Sequence, residues 1–321
     1  MYDIPAELLT FSDLDGWAED DHGAALEAFL VSCADIEGGD WPGLCALAHQ
    51  QRDTPRSFFE LFFRPVRVGE QAAFFTGYFE PLLRGARVRS GNYRHPIYRI
   101  PSEIIDQQRT RAEIEEGRLF EGQGLEIAWI DDPVEAYFLH IQGSGRVQMP
   151  DGSVIRVGYA GRNGHAYRSV GQELVRRGIY EPHQVSAQVI QSWVRRNPIA
   201  GQQLLRVNPS YIFFREVDIP DPELGPLGAM NRSITPLRTV AVDPRYTPLG
   251  APVWVEKDGA DPIRRLMIAQ DTGGAIQGPQ RADIFFGLGD EAGRAAGRIR
   301  DSGSMIVLLP IEDAHALAPD V

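Results

Sequence analysis

Three aspartates in the last third of the sequence share a setting that suits acid–base chemistry. Asp243, Asp271 and Asp283 each stand at one end of a short apolar run, beside a turn or loop with glycine or proline. A carboxylate at the end of a barrel strand can lie at the rim, where burial and neighbouring charge raise its pKa. Alternatively, each aspartate only accepts hydrogen bonds from the backbone of its own turn. Because all three occur within 41 positions, they are candidates for a general acid and its neighbours.

Other kinds of catalytic site fit the sequence less well. The string Asp271-Thr272-Gly273 matches the loop of aspartic proteases, but a single-chain protease needs a second copy, which the sequence lacks. No G-x-S-x-G elbow is present, the seven histidines lack metal-ligand spacing, and no glycine-rich loop carries the Lys-Ser/Thr of a phosphate loop. The sequence therefore predicts catalysis by a carboxyl group, with no metal and no cofactor.

Several glycine-rich polar loops could bind a substrate with many hydroxyl and amide groups. Their candidate binding residues are Thr76, Gly77, Tyr78, Gln142, Gly143, Ser144, Gly145, Tyr159, Asn163, Gly273 and Gly274. Taken singly, each loop could equally be a solvated turn. Together with a carboxyl acid they favour a sugar polymer, because amides bind hydroxyl and acetamido groups and aromatic rings stack on pyranose faces.

The elements that must position these residues indicate a mainly β protein with helical additions. The first sixty residues read as helical, and short β runs broken by Gly and Pro follow from Val66. The turn Asp151-Gly152 predicts a hairpin. Further helices are predicted over 166–177, 186–196 and 290–300. Since strands and helices do not alternate regularly, barrels are favoured over a parallel sheet.

Composition limits the classes of partner. The chain has 321 residues, which predicts about two domains, and its formal net charge is −12. Such an acidic chain is a poor binder of nucleic acid, because that binding depends on Lys and Arg. No secretory signal is visible at the first residues, so the sequence alone predicts either a cytoplasmic protein or a chain without the start of its precursor.

Two cysteines, Cys33 and Cys45, are too few for a zinc cluster. They are either two buried thiols or one disulfide that closes a short loop. The turn over 39–43 lets the chain fold back between them, which favours the disulfide. A disulfide would indicate an oxidising compartment.

Eight stretches of the sequence, taken together, resemble the MltA family of lytic murein transglycosylases. They are FTGYFEP at 75–81, HPIYRIP at 95–101, HIQGSGRV at 140–147, GYAGRNGHAYRSVG at 158–171, NPSYIFF at 208–214, VDPRYTPLG at 242–250, QDTGGAIQGPQRADIFFG at 270–287 and DEAGRAAG at 290–297. The matches keep the family's order over residues 54–310. The C-terminal stretches also resemble the three-aspartate domain of cell-wall proteins.

This resemblance implies a fold and domain boundaries. Residues 1–81 and 231–321 would form a double-psi β-barrel, similar to that of a family of endoglucanases. Residues 82–230 would form a smaller β-barrel inserted into the first, with the glycan strand in the groove between the two.

The resemblance also implies an activity. The family cleaves the β-1,4 bond between N-acetylmuramic acid and N-acetylglucosamine without adding water, and forms a 1,6-anhydro end. Its catalytic acid matches Asp283, and Asp271 and Asp243 would hold the loops and keep Asp283 protonated. Two alternatives remain. A glycan hydrolase would activate water with a second aspartate, and a wall-binding module would bind strands without cleaving them.

The implied partners and location follow from the same resemblance. The partner would be peptidoglycan, with proteins of a wall-synthesis complex as further partners. The protein would act as a monomer in the periplasm, in association with the outer membrane.

Overall fold

The computed structural model describes residues 4–102, 109–219 and 221–318. The chain divides into two compact units. Unit 1 comprises Met1–Tyr78, Glu223–Gly287 and Arg298–Val321, and unit 2 comprises Phe79–Pro222 and Leu288–Gly297. No helix among the described residues is long and apolar enough to cross a membrane.

The strands are named here in chain order. They are β1 (Ala6–Leu8), β2 (Phe63–Val68), β3 (Ala73–Glu80), β4 (Leu82–Ala86), β5 (His95–Tyr98), β6 (Glu126–Ile130), β7 (Gly145–Gln148), β8 (Val154–Arg162), β9 (Ile212–Glu216), β10 (Thr239–Ala241), β11 (Pro252–Lys257), β12 (Ile263–Asp271), β13 (Arg281–Leu288) and β14 (Arg300–Pro310).

Unit 1 is built on a closed ring of strands. Its sheet has the order β1-β2-β14-β11-β12-β10-β13-β3, and β14 also pairs with β3. This second pairing closes six of the eight strands into a barrel-like ring. The prediction of a mainly β fold with helical additions and a barrel is confirmed.

Side chains alternate between the inside and the outside of this ring. Ala282 and Ile284 of β13, Phe75 of β3 and Val240 of β10 are fully buried in one apolar cluster. Burial of such apolar surface stabilises the fold by roughly 25 cal/mol per Å². The residues between them, among them Asp283, therefore lie on the outer face of the ring.

A second apolar cluster forms between the ring and the helices of unit 1. The helices are His22–Ser32, Trp41–Ala48, Pro55–Phe62 and Ile311–Leu317. Phe29, Phe58, Phe59 and Phe63 are fully buried there, with ring centroids 5.2–6.4 Å apart. The Phe-rich segment near residue 58 therefore belongs to the core of unit 1.

The two cysteines of unit 1 lie within this cluster. Cys33 follows the helix His22–Ser32, Cys45 lies in the helix Trp41–Ala48, and the two are joined as a disulfide across a sequence separation of 12. The bond thus joins the end of the first helix to the second helix, and both helices pack on the same core.

We expect thiol counting under denaturing, non-reducing conditions to find no free thiol in the protein isolated from an oxidising compartment. Replacing both Cys33 and Cys45 by Ser should lower the free energy of unfolding by about 3 kcal/mol, because the open loop gives the unfolded chain more freedom. Urea denaturation measures this difference. Two titratable thiols in the wild-type protein would contradict the bond.

Unit 2 contains a six-stranded sheet of order β5-β6-β4-β7-β8-β9, whose end strands β5 and β9 pack against each other. β7 and β8 are antiparallel and join at the Asp151-Gly152 turn, which confirms the predicted hairpin. The helices of this unit are Arg111–Glu116, Pro133–Gln142, Val170–Arg176, Ala187–Arg196, Pro198–Leu205 and Gly289–Ala296.

Two predicted helices are shorter in the structure. The helix predicted over 166–177 begins at Val170, because Ser169 accepts a hydrogen bond from the backbone of Gln172 and acts as its N-cap. The helix predicted over 290–300 ends at Ala296. Arg300 instead begins β14, where it pairs with Thr76 of β3.

Candidate active site

Asp283 lies on the outer face of the ring in unit 1. It is the third residue of β13, and its neighbours Ala282 and Ile284 both point into the barrel. Its backbone is in register with Ala241 of the adjacent strand β10. The sequence placed Asp283 at the opening of this strand, and the structure extends β13 by two residues before it.

Asp271 lies on the other side of β10. It is the last residue of β12 and is in register with Ala241 through the parallel β10–β12 pairing. Asp271 and Asp283 are thus separated by two strand spacings, about 10 Å between their backbones. The structure places these two predicted carboxylates on either side of β10, at the same level of the sheet.

Strand β3 provides one hydroxyl for each carboxylate. Thr76 Oγ1 donates to Asp283 Oδ1 at 2.7 Å, and the Tyr78 hydroxyl donates to Asp271 Oδ2 at 2.9 Å. Thr76 and Tyr78 are two positions apart on an extended strand, so both side chains lie on the same face. Two of the predicted binding residues therefore touch the candidate acids in the described structure.

Arg281, which the sequence analysis did not select, fixes the direction of the Thr76 hydrogen bond. Its Nη2 donates to Thr76 Oγ1 at 2.8 Å, and its Nη1 donates to the backbone oxygen of Ala282 at 2.5 Å. A guanidinium can only donate, so Thr76 must accept from Arg281 and direct its own hydrogen at Asp283 Oδ1. This bond to Oδ1 favours Oδ2 as the oxygen that carries a proton on Asp283. Strand alternation offered a signal, since Arg281 lies two residues before Asp283 on the same face.

Both carboxyl groups have raised pKa values. Loss of hydration raises the pKa of Asp283, while the Thr76 hydrogen bond and the Arg281 charge act in the opposite direction. Loss of hydration raises the pKa of Asp271 to about 6, with repulsion from Asp283 adding to it and hydrogen bonds opposing it. Burial is thus the leading cause for both residues, and the sequence analysis had named it together with repulsion from neighbouring carboxylates.

Asp243 has a different environment. It is buried, and it accepts hydrogen bonds from the backbone of Gly278 at 2.8 Å and from the guanidinium of Arg245. The bond from Arg245 is the main cause that lowers the pKa of Asp243. An ionised, paired Asp243 is well placed to fix its own loop.

Gly273 and Gly274 lie in the turn that follows Asp271. The backbone of Ile276 donates to the Gly273 oxygen, and the Gln277 side chain donates to the Gly274 oxygen. Asp271 Oδ1 accepts from the backbone nitrogen of Thr272 at the start of this turn. The turn therefore helps to orient the Asp271 carboxylate.

In unit 2, the string Gln142–Gly145 ends a helix and starts a strand. Gln142 Oε1 accepts from the backbone of Phe79 at 3.0 Å, and Gly143 caps the helix with φ +81°. Ser144 is buried, and a Cβ on Gly145 would lie 2.5 Å from Leu139 Cδ1. These contacts give the two glycines a structural explanation, and the predicted substrate contacts of this string stay predictions.

Tyr159 and Asn163 differ in their availability to a ligand. Tyr159 is 51% exposed on β8. Asn163 is buried, donates from Nδ2 to the backbone oxygens of Arg109 and Pro209, and accepts from the backbone of Tyr211. With its amide occupied by three backbone bonds, Asn163 has a structural role in the fold, and its assignment to substrate binding stays a prediction.

Asn163→Ala separates the structural role from substrate binding. It should lower the free energy of unfolding by at least about 2 kcal/mol, because two backbone oxygens and one N–H lose their partner in a buried place. Urea denaturation measures the loss, and Asn92→Ala, at an exposed position, is the matched control. Unchanged stability together with a raised KM would return Asn163 to substrate binding.

One group of side chains among the described residues lies close enough to share a metal ion. It consists of Cys33, Cys45 and His49, and both of its thiols are used in the disulfide.

Known proteins match the chain over most of its length. The family model described as the MltA specific insert domain matches residues 74–215, and the model described as the 3D domain matches residues 238–309. Membrane-bound lytic murein transglycosylase A of Vibrio cholerae is 33% identical over 256 residues, which cover 76% of this chain and 67% of that protein. The chain belongs to the MltA family of lytic murein transglycosylases.

Other MltA proteins give the same result. The protein of Escherichia coli K12 is 35% identical over 244 residues, covering 73% of this chain and 65% of that protein. The matched part of this chain therefore spans about two thirds of the length of these curated relatives.

Solved structures are similar to this chain over nearly all of its length. A membrane-bound lytic murein transglycosylase from Agrobacterium tumefaciens is 32% identical, with a TM-score of 0.86 and coverage of 97% of this chain and 99% of that chain. E. coli MltA with bound chitohexaose is 27% identical, with a TM-score of 0.78 and coverage of 96% and 95%. The predicted family is confirmed.

Proposed function

We propose that this chain cleaves the β-1,4 bond between N-acetylmuramic acid and N-acetylglucosamine in peptidoglycan and leaves a 1,6-anhydromuramic end, with Asp283 as acid and then base. The observation that carries the proposal is the Asp283 carboxyl group. Its pKa is raised by burial, and its Oδ1 accepts a hydrogen bond from Thr76. Membership of the MltA family supports the class of reaction.

The proposed reaction needs one carboxyl group in two roles. Asp283 gives the proton on Oδ2 to the glycosidic oxygen as the bond from that oxygen to the muramic C1 breaks. The muramic C6 oxygen then bonds to C1, and its proton returns to the Asp283 carboxylate. The enzyme ends in its starting state, and no water is consumed. Each proton transfer by a positioned group contributes on the order of 10²–10⁴ in rate.

The contacts of Asp271 speak against the hydrolase alternative. A hydrolase that inverts needs a second carboxylate with a free lone pair to activate water. Asp271 Oδ1 accepts from the backbones of Ala229 and Thr272, and Oδ2 accepts from Tyr78. Three donors occupy three of the about four lone-pair sites of the Asp271 carboxylate, so it is better suited to fix the loops around Asp283 than to deprotonate water.

The proposal extends to the substrate contacts, the domains and the location. The predicted binding residues are proposed contacts with the glycan strand, and Thr76, Tyr78, Gln142 and Tyr159 are those whose side chains we expect to contribute most. The proposed domains are a barrel of residues 1–81 and 231–321 and an insertion of residues 82–230. The relatives in V. cholerae and E. coli are named membrane-bound, and we place this chain in the periplasm, as a monomer at the outer membrane.

Mass spectrometry of the products from purified sacculi tests the proposed reaction. We expect muropeptides that end in 1,6-anhydromuramic acid, each lighter by one water than the corresponding reducing product. Reducing ends would instead support the hydrolase. Binding to sacculi with no released product would support a wall-binding module.

A further inference from the structure

Unit 2 contains a cavity that has no part in the proposed chemistry. Its volume is about 220 Å³, and it lies among β5, the helices Arg111–Glu116 and Pro133–Gln142, and the segment before β9. At roughly 30 Å³ for one liquid water, it has room for about seven waters or a small organic molecule.

Three polar groups on the wall of this cavity have no hydrogen-bond partner within the described part of the chain. They are the hydroxyls of Tyr98 and Tyr211 and the Nε2 of His140, on residues that are 4%, 2% and 8% exposed. Each of the three atoms keeps some accessible surface, and each belongs to a residue that lines the cavity. Unpaired polar groups on buried residues are costly, and a ligand or ordered water normally satisfies them.

His140 presents a hydrogen-bond donor to the cavity. Its Nδ1 accepts from the backbone N–H of Ile212 at 3.3 Å, and burial lowers its pKa well below the usual value. The ring is therefore neutral, and with Nδ1 as acceptor its hydrogen must be on Nε2.

The charged side chains around the cavity also favour an anion. Five arginines line it against two glutamates, Glu115 and Glu121. Each glutamate is already paired with two arginines, so neither offers an unengaged charge to a cation. Arg118 is held only loosely, at 3.6 Å from Glu121, and Arg94 has no carboxylate partner among the described residues. The cavity thus offers donors in excess of acceptors.

We propose that this cavity binds a small organic carboxylate, whose oxygens would accept from Tyr98, Tyr211 and His140 and whose charge would be met by Arg94 and Arg118. Ile114, Ala136 and Leu205 form apolar wall, which suits a carbon-bearing acid better than inorganic phosphate. The carboxylate could be the end of a peptidoglycan stem peptide or a free small acid.

NMR titration of the intact protein with N-acetyl-D-alanine tests the site. We expect saturable binding with shifts at the resonances of residues lining the cavity, and at least tenfold weaker binding of N-acetyl-D-alanine amide, which lacks the charge. Preference over N-acetyl-L-alanine would indicate a stem-peptide end, and equal binding would indicate a free acid. Inorganic phosphate binding as tightly as the probe would overturn the assignment, as would absence of binding.

Variants of the unpaired hydroxyls make the test specific. Tyr211→Phe and Tyr98→Phe keep the rings and should each weaken binding of the probe about tenfold. Tyr180→Phe, in the same unit but outside the cavity, is the matched control and should bind like wild type. Unchanged affinity in both cavity variants would refute the proposed site even if the protein binds the probe elsewhere.

Discussion

Asp283→Asn should abolish the release of anhydromuropeptides from sacculi, with a fall in turnover of at least about 10³-fold. Asparagine keeps the shape of the side chain and can still accept from Thr76, but it has no proton to give to the leaving oxygen. The fold and the binding of glycan strands should survive, because the change removes no buried contact. Product analysis by mass spectrometry and a co-sedimentation assay with sacculi measure the two effects.

Asp261→Asn is the matched control for this variant, since Asp261 is exposed in the same unit. It should have wild-type turnover. Both variants should unfold at similar urea concentrations, so that loss of activity is not loss of fold. Substantial anhydro product from Asp283→Asn would remove Asp283 from the catalytic role. Asp271→Asn and Asp243→Asn should be impaired to smaller and unequal degrees.

The sequence predicted the acids of this site better than their surroundings. Asp271 and Asp283 were recognisable because each borders an apolar run, and the mainly β plan followed from the short runs between turns. Their partners were harder to find. Tyr78 and Asp271 are 193 positions apart, and no local pattern states that a hydroxyl of one will meet a carboxylate of the other.

The roles of Arg281 and Asn163 show what a sequence pattern leaves open. Arg281 looks like an ordinary charge at the start of a strand, and its bond to Thr76 depends on the pairing of β13 with β3. Asn163 stands in a polar loop that suits sugar binding. Its amide is hydrogen-bonded because the fold brings the backbones of Tyr211 and Pro209 next to it. Tertiary contacts decide both cases.

One helix of unit 2 was missed in the sequence for a local reason. The helix Pro133–Gln142 was not predicted, because its Val, Tyr, Phe and Ile are typical of strands. Its start was nevertheless marked in the sequence. Asp132 accepts from the backbone of Val134 as N-cap, and Pro133 occupies the first helical position. Capping residues were therefore a better guide here than the propensities of the residues that follow them.

Two variants should move the alkaline limb of the pH–rate profile in opposite directions. The limb reports loss of the proton from the acid, which is Asp283 in the proposed mechanism. Thr76→Val removes the donor that favours the ionised carboxylate, so the pKa of Asp283 should rise and the limb should move to higher pH. Asp271→Asn removes a neighbour whose own pKa is about 6 and which is anionic above that pH. Because the repulsion between the two carboxylates is reciprocal, the apparent pKa of the pair should then fall, and the limb should move to lower pH.

Each movement should be about 0.5 to 1 pH unit, since one hydrogen bond or one nearby charge contributes about 1 kcal/mol and 1.4 kcal/mol corresponds to one unit. The two carboxyl groups interact, so the wild-type limb belongs to the pair and not to Asp283 alone. Rates on sacculi from about pH 5 to 9 measure the limbs, and Asp261→Asn again serves as control. If Asp271→Asn leaves the limb in place, burial alone keeps Asp283 protonated and Asp271 only holds its loops. If Thr76→Val moves the limb to lower pH, the hydroxyl does not donate to Asp283, and the placement of the acid proton on Oδ2 is wrong.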